Sequence, residues 1–226
     1  LKFDIIIMVE NKLIDTVYTK NGTLSVISQD NMLALRNGSV GYSCIYTDQS
    51  IYQPILKEVQ EIIDAFHYNY NIDTALILGG GCCTIPRFMI KRFDNSVYID
   101  SVEYMPEIIE ITKKYFLKGL ATDKLNIING DAFRFINETG NKYNFIFVDL
   151  FNGGRIVEKV MSESFIENLH KHMKDEAVTI VNTFQCSTTE RDEICKLGRK
   201  YFERCFCKLD EFGTNYIVFV NGDFKV

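Results

Sequence analysis

The 226-residue chain is 46% hydrophobic and 24% charged, the balance of an ordinary globular protein with enough apolar material for a full core. Its formal charge of −5 gives no electrostatic reason to expect nucleic acid or an anionic membrane as partner. No segment reads as a signal peptide or membrane span, since the longest early apolar run, Ile5 to Val9, is far below the ~20 residues a spanning helix needs.

The chain begins at Leu1 rather than Met, which suits a start inside a longer precursor. Residues 1–50 alternate apolar runs with turn signals: Leu13 to Thr19, Thr23 to Ser28, Met32 to Arg36 and Val40 to Tyr46 are separated by Asn21-Gly22, Asp30-Asn31 and Asn37-Gly38. Asn-Gly tolerates the positive φ of a tight hairpin, so this region is expected to form a small antiparallel β unit. A second unit is expected over 51–226. It opens with a helix, because Ile55, Leu56, Val59, Ile62, Ile63 and Phe66 recur at helical spacing. Short apolar runs then alternate with amphipathic stretches. The runs are 75–78, 97–99, 125–128, 145–148 and 178–181, and helices are predicted near 85–93, 106–117, 132–138, 159–173 and 188–202. Such alternation builds a parallel sheet covered on both faces. Pro86 and Pro106 fall where helices begin, a place where a missing N–H costs nothing. Cys205 to Leu209 and Tyr216 to Val220 are joined by a link too short for a helical crossover, so they are expected to close the sheet as an antiparallel hairpin. The fold class is therefore α/β, with a Rossmann-like, mostly parallel seven-stranded sheet.

The seven cysteines show no metal-type spacing, and only His67, His170 and His172 could join them as ligands. They read as reduced thiols of a cytoplasmic protein, with no metal site.

Four segments carry the chemistry. Gly79-Gly80-Gly81 follows a buried strand and precedes a helix, where glycine lets the backbone turn sharply and a ligand approach it; glycine also simply ends strands. A dinucleotide fingerprint would need a third spaced glycine at Thr84, which counts against a nicotinamide enzyme. Glu103 ends the next strand and suits a pair of ribose hydroxyls; it also suits a cap for the helix opening at Pro106. Asp131, followed by Ala132, can receive an adenine amino group while Ala132 offers its N–H, or it can N-cap the next helix. Asp149 ends the fourth parallel run, at the edge where ligands bind in open α/β sheets. There it can serve as general base or hold a cationic amine beside Gly153-Gly154, or it can cap a loop.

Together these segments resemble the spermidine synthase family, aminopropyltransferases built on the class I S-adenosylmethionine-dependent methyltransferase fold. The resemblance runs through about residues 40–183. It implies that Tyr52 faces an amine acceptor and Gln53 the nucleoside, with Gly79, Gly80, Gly81, Glu103, Asp131 and Ala132 holding the cofactor. It also implies S-adenosylmethionine or its decarboxylated form as co-substrate, a small-molecule acceptor and a homodimer. The sequence departs from the family at its amine loop, Asp-x-x-Asp-Pro, which here reads Asp149-Leu150-Phe151-Asn152-Gly153. If an aminopropyl group is transferred, Asp149 is expected to deprotonate the attacking amine while Tyr52 and Asn152 orient it, Asn152 offering no anionic charge. The expected function is transfer of an aminopropyl or methyl group to a small acceptor; a small-molecule methyltransferase and a non-catalytic nucleoside-binding homologue are the alternatives.

Overall fold

The computed structural model describes residues 12–20, 22–38, 40–152, 154–209 and 215–224. The run Ile5 to Val9, Asn21, Gly153 and the turn around Gly213 lie outside them.

Four strands form the first sheet: β1 (Lys12–Thr19), β2 (Gly22–Gln29), β3 (Met32–Asn37) and β4 (Val40–Tyr46). They pair antiparallel in the order β1-β2-β3-β4. Register is set by two-residue connections, with Thr19 opposite Gly22, Gln29 opposite Met32 and Asn37 opposite Val40. Asp30 (φ 49°) and Gly38 (φ 55°) supply the positive φ such hairpins require. The period of two then sends Leu24, Val26, Leu33, Leu35 and Ile45 to one buried face.

The rest of the chain is a wound α/β layer. Helix α1 (Lys57–Tyr70) leads into β5 (Thr74–Leu78), α2 (Thr84–Arg92), β6 (Tyr98–Glu103), α3 (Pro106–Ile111), β7 (Leu125–Asn129), α4 (Ala132–Glu138) and β8 (Tyr143–Val148). Two short strands, β9 (Phe151–Asn152) and β10 (Arg155–Ile156), pair with each other. Helix α5 (Glu163–Lys171), β11 (Met173–Asn182), α6 (Thr188–Gly198), β12 (Arg204–Leu209) and β13 (Asn215–Asn221) complete the order. The main sheet runs β12-β13-β11-β8-β5-β6-β7. Its β7, β6, β5, β8 and β11 pairings are parallel, whereas β13 joins β11 and β12 antiparallel. This is the Rossmann-like sheet with a closing hairpin that the sequence predicts.

Alternation along the central strands explains why they read as unbroken apolar runs. Ala75 and Ile77 pack on one face with α1 and α2, while Leu76 and Leu78 pack on the other with α4 and α5. The first sheet lies against α3, its Leu24, Val26 and Leu35 meeting Ile108, Ile111 and Cys82.

Three helices differ in detail from their predicted spans. The expected helix over 106–117 ends its α-helical part at Ile111 and continues as a π-helical turn, Thr112–Phe116. The Leu117 N–H reaches Thr112 O at 3.0 Å. The expected helix over 159–173 is divided by Ser162, whose hydroxyl accepts from Phe165 N at 3.3 Å and caps α5, leaving a 3₁₀ turn over Glu158–Met161. Helix α6 stops at Gly198, where a β-carbon would stand 2.1 Å from the Phe219 ring. Among the described residues no helix is long and apolar enough to cross a membrane.

Candidate active site

Strands β6 and β7 lie on one side of β5, and β8 lies on the other. The order of the sheet reverses between β5 and β8, and open α/β sheets take ligands in the crevice at the carboxyl ends of such a pair. Gly79 follows β5 and Asp149 follows β8, so the fold brings both to that point.

The three glycines do different work. Gly79 has φ +88°, and a β-carbon on it would lie 2.2 Å from Asp149 O. At Gly80 a β-carbon would meet Ser101 Oγ at 2.3 Å. These two positions therefore need glycine for packing against the ends of β8 and β6, before any ligand is considered. Gly81 (φ +48°) differs, since a β-carbon there would meet nothing within 4 Å. Gly81 also lines the pocket at Asp149.

Glu103 is 9% exposed and ties the turn to the next element. Its Oε2 accepts from Gly81 N at 2.9 Å and its Oε1 from Met105 N at 2.9 Å. The bond to Met105 N orders the residue ahead of α3 without capping the helix, and each carboxylate oxygen keeps a lone pair beyond its backbone bond. Burial pushes the Glu103 pKa up, against the pull of those N–H donors. Beside it, Tyr104, Met105, Pro106, Asn129 and Gly130, with Lys20 from the first sheet, line a groove of about 380 Å³. On the glycine side a smaller pocket of about 30 Å³ is lined by Gly79, Gly80, Gly81 and Asp149, with Tyr42 and Ser43 of β4.

Asp131 caps α4: its Oδ1 accepts from Phe133 N at 2.8 Å and Arg134 N at 3.1 Å. Both bonds fall on one oxygen of an exposed carboxylate, so Oδ2 stays outside the cap. Ala132 is the first residue of α4 and is buried.

Asp149 is the most perturbed acid of the site. Burial pushes its pKa up to about 6, assisted by the nearby charge of Glu103 and opposed by one hydrogen bond from Asn182. Asn182 Nδ2 donates to Asp149 Oδ1 at 2.9 Å. The amide is fixed in that sense because its own Oδ1 accepts from Phe184 N at 3.0 Å. Asn182 was missed in the sequence, although it ends the fifth parallel run at the same edge as Asp149.

Tyr52, Gln53 and Asn152 stand elsewhere. The Tyr52 hydroxyl donates to Asp64 of α1, and its ring packs 5.3 Å from Phe88. Gln53 is buried in a local knot, with Nε2 donating to Ile51 O at 2.7 Å and Oε1 accepting from Tyr46 N at 3.2 Å. Asn152 is exposed on β9, opposite Arg155. None of the three lines the pocket at Asp149.

Comparison with known proteins bears on the family and the fold. Residues 50–220 match the model of the spermine/spermidine synthase domain. Relatives include a polyamine aminopropyltransferase of Vibrio vulnificus, 26% identical over 67% of this chain and 51% of its own length. One of Lachnospira eligens is 25% identical over 74% of this chain and 57% of its own. The chain thus spans about half the length of the curated relatives it matches. Among solved structures, a probable spermidine synthase of Corynebacterium glutamicum superposes with TM-score 0.82 at 16% identity, over 95% of this chain and 82% of that one. A spermidine synthase in complex with the transition-state analogue AdoDATO gives 0.68 at 14% identity, over 95% and 74%. Human methyltransferase-like protein 13 in complex with SAH gives 0.62 at 20% identity, over 73% and 82%. These structural likenesses carry the methyltransferase-type fold; with three quarters of the chain inside the domain model, the protein belongs to the spermine/spermidine synthase family.

Proposed function

We propose that the chain transfers an aminopropyl group from decarboxylated S-adenosylmethionine to a small amine, with Asp149 as proton acceptor. The observation that carries this reading is a half-buried carboxylate, its pKa pushed up to about 6 by loss of solvent, set across the sheet's switch point from a glycine turn. Family membership and curated relatives described as polyamine aminopropyltransferases support the choice of group transferred.

The residues present fit a nucleoside. The 380 Å³ groove is within the size range of small-ligand sites. Glu103 bonds the backbone of Gly81, which lines the pocket at Asp149, and of Met105, which lines the groove, and its lone pairs would serve two ribose hydroxyls. Asp131 Oδ2 and the N–H of Ala132 would receive the adenine edge. The co-substrate, when bound, supplies an electrophilic methylene beside its sulfonium. Asp149 is largely ionised at neutral pH and takes the proton that the acceptor nitrogen gives up as it forms its new bond to carbon. Asn182 holds the carboxylate in position, and Ile77, Ile85 and Phe147 give the pocket an apolar side. Alignment and one base supply most of what displacement at a sulfonium carbon requires.

The test is product identity. Decarboxylated S-adenosylmethionine offered with a panel of diamines and monoamines should yield methylthioadenosine. Formation of S-adenosylhomocysteine from S-adenosylmethionine, with no methylthioadenosine from any pairing, would replace the proposal by methyl transfer. Nucleoside binding without either product would make the chain a binding protein.

A further inference from the structure

Three cysteines outside the cleft are brought together by two elements. Cys205 and Cys207 are two residues apart on β12, so their side chains leave the same face of the strand. Cys195 on α6 meets them there. Its Sγ is 3.8 Å from Cys207 Sγ, and Cys205 is near enough for the two thiols to shift each other's titration. β12 is the edge strand of the main sheet. Cys195 is buried, Cys205 half-buried and Cys207 exposed.

Cysteines often serve as small apolar filler, and that account suits Cys44, Cys82 and Cys83, which are buried and whose thiols burial pushes up. It does not suit Cys207, which fills nothing on an exposed strand position, nor the convergence of three sulfurs on one spot. Among the described residues no His, Cys, Asp and Glu group is arranged to hold a metal ion. The Cys205 thiol is held below its usual pKa by the Cys195 thiol and by Arg199, one turn along α6. A thiol that gives up its proton more readily, a neighbouring thiol and a path from solvent are the elements of thiol oxidation chemistry.

We infer that Cys195, Cys205 and Cys207 form a redox-active thiol site, in which Cys195 closes a reversible disulfide to a cysteine of β12. The oxidant is hydrogen peroxide. A strand thiol releases its proton and its sulfur attacks one peroxide oxygen; the O–O bond breaks, sulfenic acid forms, and the departing hydroxide takes up the released proton and leaves as water. The Cys195 sulfur attacks the sulfenic sulfur, the S–O bond breaks, and the leaving hydroxide takes the Cys195 proton as a second water. Two thiols are oxidised to one disulfide and one peroxide is reduced to two waters. The remaining strand thiol can attack the new bond and move it between Cys205 and Cys207.

Tryptic cleavage isolates Cys195 on the peptide 192–196 and both strand cysteines on 205–208. The full-length chain is treated with a small excess of hydrogen peroxide, alkylated, digested without reductant and mapped by mass spectrometry. The expected product is 192–196 joined to 205–208, reversed by dithiothreitol. In Cys195→Ser the link disappears and a strand cysteine proceeds to sulfinic acid. Cys207→Ser, whose substituted side chain is exposed, keeps a link through Cys205 and serves should Cys195→Ser fold poorly. Recovery of all three cysteines alkylated after peroxide, or disulfides formed only between chains, would overturn the site.

Discussion

At Asp149 a single carboxylate carries opposing demands from stability and chemistry. Its folded pKa, about 6, lies above the ordinary value of 3.8. The folded state therefore holds its proton more tightly than the unfolded chain, and the stability this gives is lost as pH rises from about 4 through 6. Asp149→Asn removes the charge and keeps an oxygen for Asn182. Urea unfolding should find this variant more stable than the parent at pH 8, by about 1–3 kcal/mol, and the difference should vanish near pH 4. Equal stability of the two at pH 8 would mean that the acid is not strained by burial. Gly79 makes the opposite case. Gly79→Ala forces both a strained φ and a contact with the Asp149 carbonyl. It should cost about 2–4 kcal/mol in the same assay, whereas Gly81→Ala, which has room but shares the positive φ, should cost less than Gly79→Ala. The sequence marked all three glycines alike, because residue type shows that bare backbone is needed and not what approaches it.

Elements were legible where local chemistry sets their ends. Asp131 ahead of an apolar helical stretch announced α4, and its cap is present with both N–H bonds on one oxygen. Asp131→Ala should lower stability by about 1 kcal/mol through the lost cap. If the adenine role also holds, methylthioadenosine binding measured by calorimetry at full folding should weaken as well. A stability loss with unchanged affinity would leave Asp131 a cap alone. Demands set by distant packing were not legible. Gly198, the last residue of α6, must be glycine because Phe219, in another strand, occupies the space a β-carbon would need, and no local signal reports that. Tyr52 and Gln53 show the same limit. The family resemblance implied ligand contacts for them, while in this fold their side chains bond Asp64 and the backbone of residues 46–51.

For the molecule as a whole, the alternation of runs and amphipathic stretches was enough to place a parallel sheet with helices on both faces. The closing hairpin followed from a connection too short for anything else. With the strand order known, the site follows too, since β5 and β8 flank the reversal and carry Gly79 and Asp149 at their carboxyl ends. What the sequence withheld was the way the first sheet completes the cleft. Tyr42 and Ser43 of β4 and Lys20 of the β1–β2 turn reach the two pockets only because Leu24, Val26 and Leu35 anchor that sheet on α3. Asn182 was withheld for a related reason, because its meaning depends on β11 lying beside β8.

The central claim, that Asp149 is the base of an aminopropyl transfer, is tested most directly by the pH dependence of methylthioadenosine release. In the parent chain the rate should fall as pH drops through about 6, the value burial gives this acid. Asn182→Ala removes the one hydrogen bond that restrains the shift, so the same limb should move to higher pH. Asp149→Asn should lose about 100-fold or more in kcat while still binding methylthioadenosine. A profile whose acid limb stays in place in Asn182→Ala, with Asp149→Asn turning over at the parent rate, would contradict the account.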